Sequence, residues 1–208
     1  MPRLIIFDCD GTLVDSEQLC NLALSRQLEH YGVHVESTEL MDKYRGQKLA
    51  KILSALEHTY GIEFESNFTE EYRRDVSTLF ASDLKPCDGV LGVLEEIQQP
   101  VCVASSGPKE KIQDALGVTG LAAFFGANLF SSYEISSWKP DPGIFLHAAR
   151  TMGFAPSDCL VVEDSAIGIK AANAAGMESV LYDPRRNGQV TEADHTVDNM
   201  QELLAITT

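Results

Sequence analysis

An apolar run that stops at two carboxylates constrains this chain more than anything else in it: Leu4-Ile5-Ile6-Phe7 leads straight into Asp8-Cys9-Asp10-Gly11-Thr12. Four apolar residues without polar alternation fit a strand covered on both faces, as in a parallel sheet. Side chains alternate along a strand, so Asp8 and Asp10 leave its end on the same side and Cys9 on the other. Two carboxylates this close raise each other's proton affinity unless a cation lies between them. A bound divalent metal, a proton-sharing catalytic pair, or both would account for them.

The later part of the chain repeats the alternation of short apolar run and helix. Strand-like runs at 101–104, 127–130, 160–163 and 180–182 alternate with helical patterns at 90–98, 108–116, 142–152 and 166–175, the last closed by Gly176. Residues 16–85 differ, with almost no strand signal. There Leu49, Ile52, Leu53, Leu56 and Tyr60 fall on one helical face with Gly61 as a stop. An earlier helix is expected to end at Tyr31-Gly32, and Tyr72, Val76, Leu79 and Phe80 mark another. The chain is therefore expected to be α/β: a doubly wound, Rossmann-like parallel sheet over 1–15 and 87–208, with an α-helical cap domain inserted over 16–86. The cap is expected to hinge on the short connections at 14–16 and 85–88. Ligands of such sheets bind beyond the carboxyl ends of the strands.

Composition narrows the partners. In 208 residues, 31 acidic side chains face 16 basic ones, a formal charge of −15. That balance argues against nucleic acid or an anionic membrane surface as the main partner. No apolar run approaches the roughly 20 residues a membrane span needs, and no basic-then-apolar export signal opens the sequence. The cysteines (Cys9, Cys20, Cys87, Cys102, Cys159) follow no metal-ligand spacing. A reduced, cytoplasmic protein is expected.

Beyond Asp8 and Asp10, three more stations stand at what read as strand exits. Ser105-Ser106-Gly107-Pro108 places two hydroxyls and a helix start together, a ready anion site. Lys139 lies in the stiff turn Trp138-Lys139-Pro140-Asp141-Pro142, and Glu163-Asp164-Ser165 ends an apolar run. Singly, each has an ordinary explanation: a helix N-cap, a solvated lysine, acidic residues favouring a helix dipole. Their order along one sheet is what carries meaning.

That ordered set resembles the haloacid dehalogenase-like phosphohydrolase superfamily over essentially the whole chain. Its first motif is complete as Asp8-Cys9-Asp10-Gly11-Thr12, the second is represented by Ser105, the third by Lys139 and the fourth by Glu163-Asp164. The extended runs 10–17 and 139–142 are similar to the branch containing β-phosphoglucomutase and small sugar-phosphate phosphatases. Runs 44–49 and 105–108 look like bacterial 6-phosphogluconate phosphatase-like proteins.

The resemblance implies a Mg²⁺-dependent phosphatase acting on a small phosphorylated metabolite, a sugar or sugar-acid phosphate such as 6-phosphogluconate. Asp8 would be nucleophile and Asp10 acid/base. Metal ligands would be Asp8, Asp10 through its backbone carbonyl, and Asp164, with Glu163 nearby or joining them. Ser105, the Ser106 and Gly107 amides and Lys139 would cradle phosphate. Lys139 would also pair with Asp8, and Arg45 and Lys48 in the cap turn would meet a second anionic group. A monomer or weak dimer is expected.

Rival functions remain. A phosphomutase shares the core, but in the β-phosphoglucomutase pattern a histidine falls at Cys20 and a cap arginine at Leu49. A dehalogenase lacks the aspartate that Asp10 supplies. A catalytically silent binding or regulatory member would usually have lost one of Asp8, Asp10, Lys139 or Asp164. His147 and Trp138 read as packing residues.

Overall fold

The computed structural model describes every residue except Arg45, Gly46, Asn187, Gln189, Val190, Thr191 and Thr208. Its strands are β1 (Leu4–Phe7), β2 (Val101–Ser105), β3 (Leu129–Ser131), β4 (Cys159–Glu163), β5 (Glu178–Tyr182) and β6 (His195–Val197). They form one sheet in the order β3-β2-β1-β4-β5-β6, with every neighbouring pair parallel. The helices are α1 (Glu17–Glu29), α2 (Ser37–Tyr44), α3 (Leu49–Tyr60), α4 (Phe68–Asp83), α5 (Val90–Glu96) and α6 (Lys109–Val118), then α7 (Ala122–Phe125), α8 (Ser132–Ile135), α9 (Gly143–Met152), α10 (Ala166–Ala174) and α11 (Leu203–Thr207).

All of β1 is buried. Leu4 and Ile6 pack with Cys102, Ala104, Cys159 and Val161 and with Phe145, Ala148, Ala171 and Ala172 of α9 and α10. Phe7, on the alternate face, meets the Phe125 ring of α7 edge-on at 6.1 Å. Cover on both faces is why these strands read as unbroken apolar runs. The expected doubly wound α/β architecture is what the chain adopts. From β1 it winds one way through β2 and β3 and the other way through β4, β5 and β6. The reversal lies between β1 and β4, where Phe7 pairs with Val162, and such a switch point opens a crevice past the strand ends.

Several boundaries differ from the sequence expectation. β3 starts at Leu129 rather than 127, because the chain is still in the turn that follows α7, with the Asn128 amide on the Phe125 carbonyl (3.0 Å). Pro108 and Pro142 are N-caps, so α6 and α9 begin one residue later. Strand β6, at three residues, is too short for any periodic signal.

Contacts divide the chain into two compact units, Met1–Val14 with Lys85–Thr208, and Asp15–Leu84. The second holds α1 to α4 around its own core of Leu24, Leu28, Leu40, Leu56 and Phe68. Gly61 closes α3 as expected, at φ 64 with its amide on the Glu57 carbonyl (2.9 Å). Helix α1 stops at Glu29, ahead of the expected Tyr31-Gly32, and residues 30–33 fold back on its last carbonyls. Tyr31 instead packs edge-on against Phe64 and Phe68. No described helix is long and apolar enough to cross a membrane.

Candidate active site

Asp8 is the first residue past β1, and its amide still belongs to the ladder, donating to the Val162 carbonyl (2.9 Å). The chain then turns at Gly11, whose φ of 80° suits glycine. A second constraint acts on the same position: a β-carbon on Gly11 would overlap the Asp164 carboxylate. The bare backbone lets the loop after β1 close onto the loop after β4.

At the end of β4, Glu163 and Asp164 are buried, and Ser165 caps α10 by accepting from the Gly168 amide (3.2 Å). Glu163 bends back so that its Oε2 accepts from the Ser165 amide (2.9 Å) and hydroxyl (2.8 Å). A β-carbon on Gly168 would overlap that carboxylate, so a glycine in the first turn of α10 makes room for Glu163.

Lys139 does not follow a strand directly, contrary to expectation. It lies beyond α8, on a turn closed by the Asp141 amide on the Trp138 carbonyl (3.0 Å). Asp141 braces the turn, accepting from the Ser137 hydroxyl (2.5 Å) and the Gly143 amide (2.8 Å), which together hold its carboxyl below the usual range. The Lys139 side chain is 3% exposed. Its Nζ donates to Asp8 Oδ1 and to Glu163 Oε1 (2.6 Å) and lies 4.9 Å from the Phe145 ring centroid.

Burial pushes the Asp8 carboxyl up to about 7, against the pull of Lys139, with Glu163 and Asp10 adding to the rise. Burial opposes charge on Lys139 too, but Asp8 and Glu163 outweigh it and hold the ammonium above its ordinary value. Asp8 and Glu163 share the Lys139 ammonium and buried Asp164 lies close to both carboxylates, so that negative charge gathered in a low-dielectric place calls for a cation or a proton. Asp8, Glu163 and Asp164 each offer an oxygen within 4.8 Å of one another. An all-oxygen cluster with the bare backbone of Gly11 against it fits a hard divalent cation.

Ser105 ends β2, buried, and its Oγ accepts from the Gly107 amide (3.0 Å). That amide, expected to face phosphate, is thus engaged within its own loop. Ser131, at the end of β3, donates its hydroxyl to the Gly107 carbonyl (2.6 Å) and pins the loop from the other side. Ser106 is half-buried at the bend. Asp10 is more open, with Oδ1 accepting from Lys111 Nζ at 2.7 Å.

Sequence reasoning missed Ser131, Gly168 and Lys111. The signal for Ser131 was present: Ser131-Ser132-Tyr133-Glu134 has the spacing of a capping box, and the structure forms one. Lys109 and Lys111 were marked by position, since cations in a helix's first turn run against the dipole and imply local partners. Lys109 finds Glu134 (2.9 Å). Among the expected cap residues, Lys48 is the N-cap of α3 in the Asp15–Leu84 unit, and Arg45 lies outside the described residues. The cysteines are free thiols, and burial raises those of Cys9 and Cys102. His147 and Trp138 pack edge-on against Phe130 and Tyr133.

Residues 5–182 match the model of the haloacid dehalogenase-like hydrolases. The 6-phosphogluconate phosphatase of Escherichia coli is 34% identical over 202 residues, covering 96% of this chain and 91% of that one. A phosphorylated carbohydrates phosphatase of Thermotoga maritima is 30% identical, over 85% of this chain and 82% of its own. A haloacid dehalogenase-like protein of unknown function from Agrobacterium tumefaciens superposes with a TM-score of 0.84 at 30% identity, covering 99% of this chain and 97% of that one. With the parallel sheet, the paired aspartates and Lys139 already in place, these matches establish that the chain belongs to the haloacid dehalogenase-like hydrolase family.

Proposed function

We propose that the chain is a Mg²⁺-dependent phosphatase that cleaves a small phosphorylated sugar or sugar acid through an aspartyl-phosphate. The observation that carries this reading is the buried set Asp8, Lys139, Glu163 and Asp164 at the sheet's switch point.

Asp8, Asp164 and the backbone carbonyl of Asp10 would hold the metal, and the hard oxygen set favours Mg²⁺. Bound there, Mg²⁺ supplies the positive charge that lets a phosphate dianion approach a carboxylate. Glu163, whose two oxygens already accept from Lys139 and Ser165, positions Lys139 first. One Asp8 oxygen attacks phosphorus as the ester P–O bond breaks, and the departing oxygen takes a proton from Asp10. Asp10 then receives a proton from water as the water oxygen bonds to phosphorus and the Asp8–phosphorus bond breaks. Lys139 and the Ser105 hydroxyl stabilise charge on the phosphoryl oxygens during both transfers.

The relatives' activities make sugar and sugar-acid phosphates the first substrates to test, 6-phosphogluconate among them. Arg45 and Lys48 are assigned to recognising its carboxylate. Loss of phosphate release by at least about a thousandfold in Asp8→Asn, with an unchanged circular dichroism spectrum, is the expected result. Retained activity in that variant overturns the assignment. Isomerisation of a hexose 1-phosphate without free phosphate would make the chain a mutase instead.

A further inference from the structure

We infer that Lys111 is a positioning residue for the acid/base chemistry, holding the Asp10 carboxylate by its Oδ1 beside the loop after β2. The inference rests on the proposed role of Asp10. Lys111 sits in the first turn of α6, with its Nζ 2.7 Å from Asp10 Oδ1. Both side chains are about a quarter exposed, at 25% and 28%, so the pair stands at the edge of the site and outside the Asp8–Lys139–Glu163 cluster. The lysine stem runs along Gly107: a β-carbon there would lie 3.6 Å from Lys111 Cδ, 3.7 Å from Asp10 Oδ2 and 3.4 Å from Ser105 Oγ. Gly107 therefore borders the stem of Lys111, the second oxygen of Asp10 and the Ser105 hydroxyl together. Lys111 thus holds the Asp10 carboxylate by Oδ1 while Oδ2 lies beside Gly107.

Ser131 fixes the same loop through the Gly107 carbonyl, so both the loop and the carboxylate beside it are held from outside. The consequence is specific. A proton on the held Asp10 carboxyl is delivered to the departing ester oxygen as the bond to phosphorus breaks and its electron pair passes to that oxygen. A swinging carboxylate would deliver the proton to an alkoxide less often, whereas a stable phenolate leaves without one. Lys111 thus acts on leaving-group protonation and leaves phosphate binding unchanged.

The test compares kcat/KM for 6-phosphogluconate and for p-nitrophenyl phosphate, whose leaving group needs no proton near neutrality, in Lys111→Met, Lys111→Arg and Asp10→Asn. Lys111→Met keeps the apolar stem, and a thermal melt verifies its fold. The expected result is a loss of about a hundredfold on 6-phosphogluconate, less than about threefold on p-nitrophenyl phosphate, and substantial recovery in Lys111→Arg. Inhibition by inorganic phosphate should be unchanged. Equal losses on both esters, or a higher KM with weaker phosphate inhibition, would make Lys111 a substrate-binding residue and overturn the inference. If Asp10→Asn discriminates between the esters and Lys111→Met does not, the Lys111 inference alone falls. If Asp10→Asn itself does not discriminate, the acid role of Asp10 falls and the inference with it.

Discussion

Gly168 shows how a single missing methyl group can hold a site together. The Glu163 carboxylate occupies the space a β-carbon would take and uses it to reach both Lys139 and Ser165. Gly168→Ala therefore sets two effects against each other. Alanine gains about 1 kcal/mol of helix propensity in α10, but displacing Glu163 forfeits charge-assisted hydrogen bonds worth about 1.5–3 kcal/mol each. The second effect wins. Urea denaturation should show a net loss of about 2–4 kcal/mol, and phosphate release should fall at least about tenfold because Lys139 loses one of the two carboxylates that aim it. A variant as stable and as active as the parent would mean that Glu163 has another place to go. None of this was readable beforehand, because Gly168 sits in an Ala-rich helical run where a glycine looks like a mere imperfection. Asp8, Asp10 and Asp164 were readable as candidates because charge at the end of an apolar run is locally anomalous. The rotamer that takes Glu163 toward Lys139 is a tertiary fact with no local trace.

Elements were legible in proportion to the length of their signal. Strands β1, β2, β4 and β5 have both faces covered and so announce themselves as apolar runs. Helix α3 has its face of Leu49 to Tyr60 and a glycine at its end. The three-residue β6 and four-residue α7 and α8 carry too few residues to show a period. They owe their form to neighbours already in place. Helix α8 is the instructive case, since its capping box was in the sequence and its larger purpose was not. The Ser131 side chain accepts from the Tyr133 amide (3.2 Å) while donating to the Gly107 carbonyl. One hydroxyl thus starts α8 and anchors the loop after β2. Ser131→Ala should cost about 1–2 kcal/mol, a lost cap together with a half-buried carbonyl that loses its partner. It should also weaken inhibition by inorganic phosphate severalfold while Lys139 stays in place. Unchanged phosphate inhibition alongside the stability loss would confine Ser131 to a structural part.

At the scale of the molecule, the chain gathers negative charge where burial makes it most costly. Its formal charge of −15 is spread along the chain, but Asp8, Glu163 and Asp164 are buried together, the first two paired with Lys139. The sign of the resulting pH dependence follows from Asp8, whose carboxyl is raised from 3.8 to about 7 in the fold. Below about 4 it is protonated whether the chain is folded or not, and contributes nothing. Between about 4 and about 7 the unfolded chain releases this proton while the fold retains it, so in the absence of metal this group's contribution grows less favourable as pH rises through that window. A divalent cation needs the carboxylates ionised and competes with the proton for the same oxygens. Its stabilisation should therefore be small near about pH 5 and large near about pH 8, reaching about 2.7 kcal/mol when free metal is about a hundredfold above its dissociation constant. Thermal melts with Mg²⁺ and with chelator at both pH values measure it without reference to any substrate. In Asp164→Asn, which keeps the Asp8–Lys139 pair, the Mg²⁺-dependent shift should shrink at the higher pH while the metal-free melting temperature stays level or rises. An undiminished shift in that variant would place the cation elsewhere on the acidic surface, and a shift of equal size at both pH values would mean that the buried carboxylates are not its ligands.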